Sequence, residues 1–226
     1  MENPNQAANI STPETAPAPA FTLPLEAIAR VETLLGRGRR VILGIAAGPG
    51  AGKSTLAQAL QRHFADRSQY LPMDGFHLAN RELARLGLRH CKGAPQTFDS
   101  AGFVDLLKRL RHQTPGETIY APDFDRSLEE SIAGSIALEG DKPLLITEGN
   151  YLLMEEGPWA EVRALLDEAW YLDLDAVTRH QRLLERHMRF GRSEQAARDW
   201  IRDTDEPNAV RIAATRHRAD WILSGF

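Results

Sequence analysis

Twelve residues constrain this chain more than any others. Gly44-Ile-Ala-Ala-Gly-Pro-Gly-Ala-Gly-Lys-Ser-Thr55 follows the apolar run Val41-Ile-Leu-Gly-Ile45 and precedes Leu56, Ala57, Leu60 and Phe64. The run reads as a buried strand, and the three- and four-residue spacings of the later residues put them on one helix face. A strand, a glycine-rich loop and a helix in that order make a P-loop unit of an α/β fold. Gly48, Gly50 and Gly52 let the loop curl so that backbone N–H groups point inward, and a helix opening near Lys53 adds the positive end of its dipole. Such a cradle holds nucleotide phosphates. Gly48, Gly50, Ala51, Gly52, Lys53, Ser54 and Thr55 are therefore the expected nucleotide contacts, with Lys53 reaching the β- and γ-phosphates and the Ser54 hydroxyl ligating Mg²⁺. Ala47 stands where the usual pattern has glycine, displaced here to Gly48. Alanine costs little there if its φ is negative.

Bulk properties narrow the class. A chain of 226 residues suits an α/β domain of ordinary size. A formal charge of −4 gives no electrostatic case for a nucleic-acid partner. Cys91 is the single cysteine, which excludes an internal disulfide framework and fits a cytoplasmic location. No apolar stretch approaches the roughly 18 residues a membrane span needs, and no basic patch with an apolar core marks a secretory signal. Residues 1–20 carry Pro4, Pro13, Pro17 and Pro19 among small and polar residues, the composition of a flexible tail. An ordered domain is expected over 21–226, as a monomer or homodimer.

Leu25, Ile28, Val31, Leu34 and Leu35 recur at helical spacing up to Gly36. Strands are expected at Gln69–Asp74, Glu117–Ala121, Pro143–Glu148, Ala169–Leu174 and Ala219–Leu223. Phe103, Leu106, Leu107 and Leu110 form a helical stripe capped by Asp99-Ser100, and a long helical region is expected from about Ala176 to Asp203. Alternation of strands and helices implies a mainly parallel sheet covered on both faces, with ligands at the carboxyl ends of its strands.

Two of those ends carry acids. Glu148 closes Leu144-Leu-Ile-Thr and can hold Mg²⁺ directly or through water. Asp74, in Met73-Asp-Gly-Phe-His77, can accept a hydroxyl proton, the following glycine allowing close backbone approach; Asp-Gly is equally a turn pair. His77 suits either a substrate hydrogen bond or a structural imidazole. Arg179, Arg182, Arg186 and Arg189 fall within roughly 80° of helix circumference, opposite Val177, Leu184 and Met188. That stripe is either a solvated face or a lid, spanning about 176–204, whose arginines close on phosphates.

These segments resemble the P-loop small-molecule kinases that include uridine kinase, phosphoribulokinase and bacterial pantothenate kinase, with particular likeness to a bacterial branch described as fructose-transport-system or nucleoside kinases. The residues carrying the likeness are Gly50-Ala-Gly-Lys-Ser-Thr55, Pro72-Met-Asp-Gly-Phe-His-Leu78, Lys92-Gly-Ala-Pro-Gln-Thr-Phe-Asp99, Phe124-Asp-Arg126, Glu148-Gly-Asn-Tyr-Leu-Leu153, Gly157-Pro-Trp159 and Asp205-Glu-Pro-Asn-Ala209. The resemblance implies a three-layer fold with a five-stranded parallel sheet and a helical lid, Mg-ATP as donor, and a small hydroxyl compound as acceptor. It implies Asp74 as catalytic base beside Lys53, Glu148 near the metal, Asp125 and Arg126 by the acceptor, Arg182, Arg186 and Arg189 in the lid, and Asn208 by the adenine. Asp74, His77, Asp125 and Arg126 suit a polyol, whereas Phe76 and Tyr151 keep a nucleoside open. A nucleotide-monophosphate kinase would add an arginine-lined phosphate site, for which Arg81, Arg85 and Arg89 are available. A regulatory P-loop NTPase acting on a protein partner would need a switch signature, and a non-catalytic nucleotide-binding module would not need Lys53, Ser54, Asp74 and Glu148 together.

Overall fold

The computed structural model describes residues 21–224; the expected tail at 1–20 lies outside them. Helix α1 (Leu25–Leu35) leads into β1 (Val41–Ala46), whose six residues are all buried. The phosphate-loop sequence follows, then α2 (Lys53–His63) and β2 (Ser68–Pro72). After α3 (Asn80–Arg85) and α4 (Ser100–Arg111) come β3 (Thr118–Asp125) and β4 (Glu130–Glu139). The chain then runs through β5 (Leu144–Gly149), β6 (Glu168–Asp173), α5 (Ala176–Arg189), α6 (Glu194–Trp200), α7 (Glu206–Ala214) and β7 (Trp221–Ser224).

Five strands form one sheet in the order β2-β5-β1-β6-β7, and every pairing in it is parallel. An all-parallel sheet needs cover on both faces, and alternate strand residues point to two cores. Val41, Leu43, Ile45, Ile146 and Trp170 pack with Val31, Leu34, Leu56 and Leu60 of α1 and α2. Ile42, Leu145 and Tyr171 pack with Phe103, Leu107 and Leu110 of α4. Asp99 caps α4 by accepting from the Gly102 N–H at 2.9 Å.

Two departures from expectation matter for the site. The segment Glu117–Ala121 does not join the parallel sheet. It begins β3, which pairs antiparallel with β4 in a separate hairpin whose register shifts between Ala121 and Asp123. Pro122, lacking an N–H, stands at that irregularity. The hairpin is clipped to β2 by one side chain: the Gln69 amide donates to the Glu139 carbonyl at 2.8 Å and accepts from the Glu139 N–H at 2.5 Å. The second departure is the helical region after β6. It breaks at Gly191 (φ 91°), and Ser193 caps the new helix α6 by accepting from the Ala196 N–H. Within α5 the polarity is the reverse of the usual amphipathic pattern, because its buried residues are Arg179 and Leu183 while Val177 is 78 % exposed. Arg179 of the basic stripe thus packs against the molecule beside Leu183, while Arg182, Arg186 and Arg189 remain exposed.

Candidate active site

Parallel register brings three strand ends level, since Glu148 is opposite both Ile45 and Pro72. A crevice of about 680 Å³ opens there, walled by Gly50, Gly52, Lys53, Ser54 and Thr55 on one side and by Asp123, Phe124 and Arg126 on another. Asp74, Glu148, Tyr70, Pro72, Arg182 and Arg186 complete the lining together with Phe21 and Gln58.

The loop has the backbone such a cradle requires. Gly50 and Gly52 have φ of 79° and 91°, and Gly52 caps α2 in the left-handed conformation that glycine tolerates best. Ala47 is not among the residues with positive φ and is fully buried, so its methyl group is accommodated in the core without backbone strain. Gly48 lies against Ala209 of α7, and Ala51 is also buried. A Cβ at Gly50 would come within 2.8 Å of the Arg179 carbonyl oxygen, which measures how closely α5 presses on the loop. Arg179 fastens that contact. It donates to the Pro49 carbonyl at 3.3 Å and to Glu206 at 3.0 Å, an acid shared with His180 at 2.7 Å.

Lys53 is buried, and its Nζ donates to Asn150 Oδ1 at 2.6 Å and more weakly to the Gly48 carbonyl at 3.4 Å. Burial pulls its pKa down against the opposing fields of Glu148 and Asp74. Ser54 and Tyr70 both donate hydroxyl hydrogen bonds to Glu148 Oε1, each at 2.8 Å. Burial pushes the Glu148 carboxyl above its ordinary value despite Lys53 and these donors. One hydroxyl and one carboxylate oxygen side by side are the hard donors that Mg²⁺ takes alongside phosphate oxygens and water. No cluster of three or more histidine, cysteine or acidic side chains suited to a metal occurs among the described residues, so this donor pair fits a nucleotide-borne Mg²⁺ better than a metal caged by protein.

Asp74 stands two residues beyond β2, on a single 3-10 turn at Met73–Phe76. Its Oδ2 accepts from Arg126 Nη2 at 2.8 Å. Burial alone would raise its pKa, but His77 once it is protonated, together with the charges of Arg126, Lys53 and Arg186, outweighs it and holds the carboxyl below the ordinary range. It is therefore ionised at neutral pH and able to take a proton.

The remaining expected residues divide. Arg182 and Arg186 line the crevice and have no ion pair among the described residues. Arg189, at the far end of α5, is not in the lining, nor is Asn208, which is buried on the first turn of α7 next to Ala209. His77 rests against Phe98 and Phe124, with ring centroids 4.0 and 4.8 Å away, and Nδ1–H donates to the Asp74 carbonyl at 2.8 Å. Burial keeps it neutral by lowering its pKa; its place is under the Asp74 turn. Like His77, Arg189 and Asn208, Asp125 and Tyr151 do not line the crevice. Asp125 caps the β3–β4 turn by accepting from the Ser127 and Leu128 N–H groups at 2.8 and 3.2 Å, and the wall is made by its neighbours Asp123, Phe124 and Arg126. Tyr151 is fully buried against Phe98 and Trp159, its hydroxyl donating to the Gly93 carbonyl, so it is a core residue. Arg81, Arg85 and Arg89 are also absent from the lining, Arg85 pairing with Glu82 on its own helix.

Tyr70, Asn150 and Asp123 belong to the crevice or its Lys53 support without having been singled out by sequence. Tyr70 carried a usable signal: strand alternation puts it on the same face as Pro72, one step before the Asp74 turn.

Comparison with known proteins agrees with this geometry. Residues 42–224 match the phosphoribulokinase / uridine kinase family. A candidate uridine kinase of Schizosaccharomyces pombe is 36% identical over 168 residues, covering 70% of this chain and 71% of its own. The Escherichia coli protein YggC is 35% identical over 190 residues, covering 82% of this chain and 78% of its own. Among solved structures, a candidate fructose transport system kinase from Silicibacter superposes with a TM-score of 0.80 at 34% identity, covering 89% of this chain and 100% of that one. With the five-stranded parallel sheet and the phosphate loop at its centre, the chain belongs to the phosphoribulokinase / uridine kinase family of P-loop ATP-dependent kinases.

Proposed function

We propose that this enzyme moves the γ-phosphoryl group of ATP to a hydroxyl of a small sugar-like or nucleoside-like metabolite, with Asp74 as the base. The observation that carries this reading is the position of Asp74. An ionised carboxylate faces the phosphate cradle across one crevice, where a hydrolytic switch protein would instead need a group to orient water. In the reaction the acceptor oxygen forms a bond to the γ-phosphorus, the bond from that phosphorus to the β-bridging oxygen breaks, and ADP leaves with the electron pair. The acceptor proton passes to Asp74. Lys53, Arg182 and Arg186 draw charge from the transferring group and exclude water as α5 closes. Ser54 and Glu148 would hold the Mg²⁺ of the nucleotide, which would supply neutralisation of phosphate charge there. The start of α7 lies beside the loop at Ala209, and its neighbour Asn208 is the candidate adenine contact.

The test is ADP release over a panel of sugars, nucleosides, nucleoside monophosphates and hydroxy acids, with Lys53→Ala as blank. One compound class should raise ADP release strongly, and Asp74→Asn should abolish that rise while nucleotide binding persists. Phosphorylation surviving in Asp74→Asn would remove Asp74 from the role of base.

A further inference from the structure

Arg126 stands on the carboxylate that the acceptor needs. Its Nη2 lies 2.8 Å from Asp74 Oδ2, and its guanidinium also sits 5.5 Å from the centre of the Phe124 ring. The other cations of the crevice have a different origin. Lys53 comes from the phosphate loop, Arg182 and Arg186 from α5, and none of the three is ion-paired among the described residues. They line the side of the crevice formed by the phosphate loop and α5. Arg126 comes from the opposite wall, on the β3–β4 hairpin, and is already paired.

An acceptor hydroxyl that approaches Asp74 meets this guanidinium on Oδ2: it either takes Oδ1 with Arg126 alongside or displaces Arg126 from the carboxylate. A neutral polyol can offer Arg126 only dipoles in exchange for a carboxylate, a poor trade because charge-assisted bonds are about twice as strong as neutral ones. A carboxylate or phosphate on the acceptor replaces the lost partner in kind and leaves Asp74 free for the hydroxyl. Arginine's planar fork suits both anions.

We propose that the physiological acceptor carries an anionic group close to the hydroxyl that is phosphorylated, and that this group draws Arg126 away from Asp74 on binding. The proposal rests on the reading of Asp74 as base. It narrows the acceptor to hydroxy acids and phosphorylated hydroxy compounds.

Matched pairs test it with the full chain: glycerate against glycerol, pantothenate against panthenol, ribose 5-phosphate against ribose, and a nucleoside monophosphate against its nucleoside. The expected result is a kcat/KM about 10- to 100-fold higher for the anionic member of at least one pair, the range set by one hydrogen bond between charged groups. Carboxylate and phosphate pairs show which anion is used. Arg126→Gln should bring the two members of that pair within about threefold, mainly by raising the acceptor KM, and Arg126→Lys should keep part of the preference. Arg126 is 41% exposed, so neither change threatens the fold. Stimulation by the neutral members alone would overturn the proposal and leave the kinase reading standing. A KM increase for ATP rather than for the acceptor would overturn it too, by assigning Arg126 to the nucleotide. ADP release stimulated by no member of any pair would overturn the phosphotransfer reading, and the proposal with it.

Discussion

Gly75→Ala is the substitution whose consequence follows most directly from the geometry. A Cβ on Gly75 would lie 2.7 Å from the backbone carbon of Pro122, closer still to its carbonyl oxygen, and 3.2 Å from the Asp123 Cα. These are main-chain atoms of β3 and cannot swing aside as a side chain would. Restoring the 3.4 Å of ordinary contact to the nearest of these atoms means parting the Asp74 turn from the hairpin by about 1 Å. Overpacking of this kind costs about 1–3 kcal/mol, so the protein stays folded with its melting temperature lowered by roughly 2–12 °C. Function is hit harder. Asp74 and Arg126 sit on the two surfaces that separate, and misplacement near 1 Å typically lowers turnover about 100-fold. Steady-state kinetics with the acceptor, beside equilibrium binding of a fluorescent ATP analogue, separates the halves of the site. Turnover should fall about 100-fold with nucleotide affinity within about threefold of wild type. Turnover within threefold of wild type would refute the coupling of the Asp74 turn to the hairpin.

Other outcomes follow from the same structure. Tyr70→Phe removes one of the two hydroxyls that hold Glu148 Oε1, and loss of such an orienting partner should raise the Mg²⁺ needed for half-maximal activity about tenfold or more; unchanged Mg²⁺ dependence would rule out that role. Because burial raises the Glu148 carboxyl above its ordinary value, it protonates earlier on acidification. Nucleotide-dependent Mg²⁺ affinity, followed by calorimetry, should therefore start to fall above pH ~4.3, the usual glutamate value, and a flat profile down to that pH would contradict it. Asp167, whose side chain is 2% exposed, accepts from the Ile42 N–H and pairs with Arg39 and Arg111. Burial opposes its charge, yet these partners hold its pKa below the ordinary value. Its contribution is thus fully present above pH ~3.9 and lost as pH falls through its folded value. Asp167→Asn should cost about 2–4 kcal/mol at pH 7 by denaturant unfolding, with the difference from wild type shrinking under acid.

The phosphate loop and the two acids were legible in the sequence because their signals are local. An apolar run that leads through glycines to Lys53-Ser54, or that ends directly in Glu148, suits little besides a strand feeding a phosphate site, and parallel topology then carries the ends to one edge. What local patterns could not supply was the partner of each face. The α5 stripe illustrates this: amphipathicity says which side differs, and the usual inference buries the apolar side. Here Arg179 is buried because it binds the Pro49 carbonyl and Glu206, contacts made by residues 130 and 27 positions distant. Tyr151 looked like a stacking platform because it closely follows Glu148, but Phe98 and Trp159 enclose it from remote segments. Strand β4 went unread because most of it is exposed, leaving too little apolar alternation to register; pairing with β3 forms it. Gly75 was legible as a point of close approach, though nothing nearby in sequence identified Pro122 as the backbone that approaches.

The β3–β4 hairpin shares no ladder with the parallel sheet; it joins the rest of the fold through side chains such as Ile119 and Leu138 in the core, the Gln69 amide and the close Gly75 contact. Under selection, that separation divides one enzyme into two inheritances. Substitutions along Asp123, Phe124 and Arg126 alter the wall opposite the phosphate cradle without changing α2, which holds Lys53 and Ser54, or β5, which holds Glu148. The donor chemistry can persist unchanged across a lineage while acceptor preference drifts residue by residue.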